Sequence, residues 1–176
     1  MNYYNTSLIL IGMPGAGKST LGELLAQSLK KDFVDTDRVI EQRQKQTLQQ
    51  IVDSQGYNAL REIEENILLN ATYPNHIIAT GGSAVYSQKA MTHLKHFGLI
   101  VFLDVELSEL EKRLDNLQSR GLAKRAEQTL ADLFTERRPL YQAYADITIN
   151  CSGKSKEQII NSIIYEEGET YSEIDA

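Results

Sequence analysis

Short runs of apolar residues alternate with stretches whose apolar positions recur every three or four residues. The runs Leu8–Ile11, Asp32–Val34, His76–Ala79, Ile100–Leu103 and Ile147–Ile149 read as strands. Most of them lack the in-out alternation of a half-exposed strand, which is the pattern of strands covered on both faces. The second is weak and depends on its context. Between the runs, Leu21, Leu24, Leu25 and Leu29 fall on one helical face, as do Leu60, Ile63, Ile67 and Leu68, and again Leu107, Leu110, Leu114 and Leu117. Strand and helix in alternation predict an α/β fold with a mainly parallel sheet.

The periodicity fails over residues 118–128, which hold three basic residues and read as a mobile loop. From Glu166 to Ala176 there are five acids and no base, the composition of a frayed tail. The expected organisation is one domain over 1–165 followed by that acidic tail. Of the 176 residues, 41% are hydrophobic and 24% charged, enough apolar material for a core. The net charge of -6 disfavours a general nucleic-acid binder, although a few arginines in one cleft can still bind a small anion. The single cysteine, Cys151, excludes an internal disulfide and reads as a strand-end residue. His76, His93 and His96 are scattered and make no zinc pattern. Residues 1–7 have no basic leader and Leu8–Ile11 is too short to span a bilayer, so a cytoplasmic location away from membranes is expected.

Candidate chemistry begins at Gly12-Met-Pro-Gly15-Ala16-Gly17-Lys18-Ser19-Thr20, which satisfies G-x-x-x-x-G-K-[ST]. Glycines let successive N–H groups turn inward onto phosphate oxygens. Lys18 adds a point charge at the β and γ phosphates, Ser19 offers a hydroxyl to Mg²⁺, and the following helix aims its positive end at the same anion. A strand before the loop and a helix after it supply the context such a motif needs. Next comes Phe33-Val-Asp35-Thr-Asp37. On an extended chain, acids two apart share a face, so one carboxylate can hold a Mg²⁺-bound water while the other accepts a proton from a hydroxyl. Taken alone, Asp37 reads equally well as a helix cap.

These residues together resemble the shikimate kinase family. The resemblance continues in Leu60-Arg61-Glu62-Ile63-Glu64, in Ile78-Ala-Thr-Gly81-Gly82, in Arg137-Arg138-Pro139-Leu140-Tyr141 and in Ala145-Asp146-Ile147. It implies a three-layer P-loop fold with a five-stranded parallel sheet flanked by helices, a substrate-binding region at about 35–70 and a lid at about 118–128. It implies transfer of the γ-phosphoryl group of ATP, with Mg²⁺, to the 3-hydroxyl of shikimate, by a monomer. Under the resemblance, Gly12, Gly15, Ala16, Gly17, Lys18, Ser19 and Thr20 hold nucleotide phosphates, Ser19 and Asp35 the metal, and Arg113 the adenine. Asp37 meets the accepting hydroxyl. Arg61 and Arg137 clamp the substrate carboxylate, Gly81 and Gly82 approach the substrate, and Arg120 closes on the phosphates from the lid.

The sequence departs from the family pattern where Gly121 replaces the lid proline, where Ser83 replaces a third glycine, and where Leu60 and Tyr57 replace the usual Phe and Glu. Lys124 and Arg125 could share the part of Arg120. The alternatives are a kinase of another small hydroxylated acid such as gluconate, or a nucleotide-binding protein without turnover. A nucleoside monophosphate suits the Asp pair less, since two carboxylates repel a phosphate acceptor.

Overall fold

The computed structural model describes residues 6–115 and 127–174. Five strands, β1 (Ser7–Ile11), β2 (Asp32–Asp35), β3 (His76–Ala79), β4 (Gly98–Asp104) and β5 (Ile147–Asn150), form one parallel sheet in the order β2-β3-β1-β4-β5. All five expected strands are present. β1 is buried throughout because it lies between β3 and β4, with Ile9 opposite Ile78 on one side and Ile100 on the other. Its neighbours come from connections that leave in opposite directions, so the loop after β1 opens at the point where the strand order reverses, the usual ligand crevice of such sheets.

Helices cover the sheet. They are α1 (Lys18–Leu29), α2 (Thr36–Gln44), α3 (Leu48–Gln55), α4 (Tyr57–Leu69), α5 (Gln88–Lys95), α6 (Leu107–Asp115), α7 (Leu130–Tyr144) and α8 (Lys156–Ile174), with a short 3₁₀ turn at Ala84–Tyr86. The main core runs through the sheet into Leu21, Leu25, Leu133, Tyr141, Ile159 and Ile163. A separate small core, Ile40, Ile51, Leu60 and Ile67, holds α2, α3 and α4 together. The expected substrate region thus has its own packing beside the sheet. α3 is introduced by a reciprocal cap, in which Gln50 N–H donates to Thr47 Oγ1 and Thr47 N–H donates to Gln50 Oε1.

The chain end differs from the expectation of a frayed tail from Glu166. α8 continues to Ile174. Ile159 and Ile163 anchor it to the core, and Glu167 is buried in the electrostatic reach of Lys31, whose ammonium donates to Thr6 O at 2.6 Å. Burial raises the Glu167 carboxyl above its usual range, with Lys31 opposing. Cys151 is buried at the end of β5, its thiol donates to Ile149 O at 3.3 Å, and burial pushes it up to about 12, as fits a structural residue. Among the described residues, no helix is long and apolar enough to cross a membrane.

Candidate active site

The loop after β1 needs its glycines. Gly12, Gly15 and Gly17 have φ of 145°, 84° and 95°, conformations that a side chain disfavours. A Cβ on Gly12 would also stand 2.8 Å from Leu103 O. Gly17 opens α1 without a side-chain cap, so the first-turn N–H groups remain available to an anion. Lys18, in that turn, is buried and donates to Gly12 O at 2.7 Å and Met13 O at 3.0 Å. Burial lowers its pKa to about 8, against the pull of Asp37 and Asp35. A buried ammonium among inward N–H groups is a place for a polyanion, and the residues present fit the phosphates of a nucleotide.

Opposite the loop, the two acids do not lie on one extended strand. β2 ends at Asp35, whose Oδ1 accepts from the N–H groups of Asp37 (3.0 Å) and Arg38 (3.4 Å). The N-cap of α2 is therefore Asp35, and Asp37 stands in the first helical turn. The period-two argument for their shared direction fails, and both still line the cleft. Between them the buried Thr36 accepts from Gly81 N–H at 3.2 Å. The adjacent register of β2 and β3, with Asp35 opposite Ala79, brings the glycine turn after β3 beside the acids. Thr80 ties the same turn to Leu10 O through its N–H and its hydroxyl.

The cleft has a volume of about 710 Å³. Gly15, Gly17, Lys18, Ser19 and Thr20 line one side. Asp35, Asp37, Ile40, Leu48 and Leu60 line another, and Glu64, Gly81, Gly82, Ser83 and Arg137 complete it. Gly12 and Ala16, within the same loop, are buried and do not line the cleft. Arg113 lies on the loop's outer flank, donating to Gly15 O at 3.0 Å and paired with Glu109. Arg137 is buried on α7, and its Nε donates to Tyr86 Oη at 3.2 Å. Arg61 lines a side recess of about 210 Å³ that shares Glu64 and Ser83 with the cleft. Its guanidinium stacks 3.7 Å from the Tyr86 ring centroid. Arg120, Lys124 and Arg125 lie outside the described residues.

Four contributors escaped the sequence reading as site residues. Glu64 is buried on α4, with Oε2 accepting from Ser83 and Oε1 lacking a hydrogen bond among the described residues. Burial first, then the neighbouring Asp37, raise it to about 7. Tyr141 donates to Gly82 O at 2.6 Å, fixing the turn, and burial raises its hydroxyl well above the usual phenol. Thr36 and Tyr86 are the others. The spacing of Arg137 and Tyr141, one helical turn apart on α7, was the available signal for Tyr141.

A parallel sheet with a phosphate loop at its switch point, facing an acid pair and a buried guanidinium, defines a P-loop phosphotransferase architecture. Comparison with known proteins narrows the class. A profile of the shikimate kinase family matches residues 14–166. Shikimate kinase of Rippkaea orientalis is 40% identical over 162 residues, covering 90% of this chain and 86% of that one. Shikimate kinase of Pasteurella multocida is 37% identical over 162 residues, covering 90% and 93%. In three dimensions the chain is similar to the Acinetobacter baumannii shikimate kinase solved in complex with shikimate, with a TM-score of 0.82, 29% identity and 91% of each chain covered. The chain belongs to the shikimate kinase family.

Proposed function

We propose that this chain transfers the γ-phosphoryl group of ATP to the 3-hydroxyl of shikimate, giving shikimate 3-phosphate and ADP. The observation that carries the proposal is the convergence of Lys18, Asp37 and Arg137 on one cleft from three different elements. A phosphate cradle, an acceptor for a hydroxyl proton and a buried cation for an acid are the parts this reaction needs.

In this reading the loop N–H groups and the first turn of α1 grip the phosphates, with Ser19 and Thr20 at the rim. Lys18 leaves the carbonyls of Gly12 and Met13 for the β and γ oxygens. Asp37 accepts a hydrogen bond from the 3-hydroxyl and takes its proton as the new P–O bond forms. Arg61 and Arg137 hold the carboxylate, with Gly81 and Gly82 against the ring, so that the hydroxyl faces the phosphorus. Phosphoryl transfer depends mostly on such positioning and on charge stabilisation. Arg113, bonded to the loop backbone, is assigned to the nucleotide base.

The donors fit Mg²⁺, because the Ser19 hydroxyl and the Asp35 carboxylate both line the cleft and are the hard oxygen ligands that this ion would take. Bound there, Mg²⁺ would neutralise charge on the β and γ phosphates. One oxygen of Asp35 is committed to the helix cap, which supports an outer role for this acid, through water. A monomer acting on a small molecule in the cytoplasm completes the reading.

The test is ADP release with purified protein, ATP and Mg²⁺, with and without shikimate. Strong shikimate-dependent turnover is expected. Background hydrolysis alone, with ATP still bound, would move the acceptor to another hydroxy acid.

A further inference from the structure

The two arginines assigned to the carboxylate come from different helices, Arg61 from α4 and Arg137 from α7. Two like charges brought to one small space repel, so something must hold them in register. Tyr86, at the end of the 3₁₀ turn that follows the glycines, touches both. The Arg61 guanidinium carbon lies 3.7 Å from its ring centroid and that of Arg137 lies 5.2 Å away. Both distances are within the range in which a ring's negative face attracts a cation. The ring of Tyr57 approaches Arg61 from its own helix at 5.1 Å.

The hydroxyl has a defined direction. It donates its one hydrogen to Glu136 Oε1 at 2.5 Å, which leaves its lone pairs to accept from Arg137 Nε at 3.2 Å. Glu136 is in turn held by Gln128 Nε2 at 2.7 Å. One residue therefore supplies a face to the first guanidinium and an acceptor to the second.

We propose that Tyr86 is a positioning residue for recognition of the substrate carboxylate, its ring fixing Arg61 and its hydroxyl fixing Arg137. The proposal rests on the carboxylate-clamp reading given above. Substrate does not have to touch Tyr86; the residue acts by keeping two guanidiniums arranged for one bidentate anion.

The experiment compares Tyr86→Leu and Tyr86→Phe with the unaltered protein, on shikimate and on its methyl ester, which keeps the ring hydroxyls and lacks the charge. Tyr86→Leu is expected to raise KM for shikimate about tenfold. The loss falls on KM for the acid and not on kcat or KM for ATP, and it is absent with the ester. Tyr86→Phe keeps the ring and is expected to recover most of it, leaving a rise of about threefold. An unchanged KM for shikimate in Tyr86→Leu, or an equal loss on acid and ester, overturns the proposal. If the leucine variant does not fold, the phenylalanine variant decides, since no change on the acid overturns the hydroxyl link. Arg61→Ala and Arg137→Ala separate the two levels. If they too leave KM for shikimate unchanged, the clamp itself is wrong. If they raise it while Tyr86→Leu does not, only the part assigned to Tyr86 falls.

Discussion

Ser83 donates its hydroxyl hydrogen to Glu64, joining the turn after β3 to a carboxylate buried in α4. Hydrogen bonding to the charged form holds the Glu64 pKa down against burial and Asp37. Ser83→Ala removes the donor and leaves the carboxylate poorer by one partner. The expected outcome is a loss of about 1–3 kcal/mol in stability, larger at pH 8 than at pH 6. Thermal melts at the two pH values check it.

Glu64 also makes stability depend on pH. Its folded-state pKa of about 7 lies above the ordinary glutamate value of 4.5. The folded state therefore holds the proton more tightly, and the resulting stability is fully present below the unfolded pKa and lost as pH rises through about 7. Glu64→Gln is neutral throughout. Its melting temperature relative to the unaltered protein should rise by about 3–8 °C between pH 5 and pH 8. A constant difference across that window would show that Glu64 titrates elsewhere.

Lys18→Ala removes a buried side-chain cation from the phosphate loop. Turnover is expected to fall by about 10²–10³-fold, in line with loss of one charge-stabilising donor at a transferring group. Steady-state kinetics with ATP and shikimate, with a melt to confirm folding, give the answer.

Asp37→Asn keeps the shape of the first turn of α2 and removes a proton acceptor. A drop in kcat of about 10²–10⁴-fold is expected, with ATP affinity retained in a nucleotide-binding titration. Unchanged kcat would remove Asp37 from the reaction.

Gly81→Ala tests the close packing behind the acids. A Cβ there would stand 2.7 Å from Asp37 Oδ1 and closer still to Glu64 Oε1. Both carboxylates would have to move. Expected are a stability loss of about 1–3 kcal/mol and a fall in kcat of at least tenfold, read from the same assay.

The sheet and the phosphate loop were legible because their constraints are local. Leu8–Ile11 is apolar at every position because both its faces are covered, and the loop requires glycines at fixed offsets. The acid pair was legible in content and not in geometry. The period-two reading needs an extended chain through Asp37, whereas the Asp35 side chain caps the helix and turns the chain at Thr36. Charge alone marks the acidic end as frayed and hides Ile159 and Ile163 upstream, which hold α8 to the core. Tyr86 carried no signal, since a three-residue turn has no periodicity and its partners are 25 and 51 positions away, at Arg61 and Arg137. The family resemblance named both arginines without naming what stands between them.

The hold of Lys18 on the carbonyls of Gly12 and Met13 has a consequence for how compounds would meet this pocket. A visitor without negative charge leaves that internal tether in place and finds a loop already braced. An anionic visitor can take the third ammonium hydrogen or compete for the two that the carbonyls hold. The same lysine thus acts as a latch in one situation and a hook in the other.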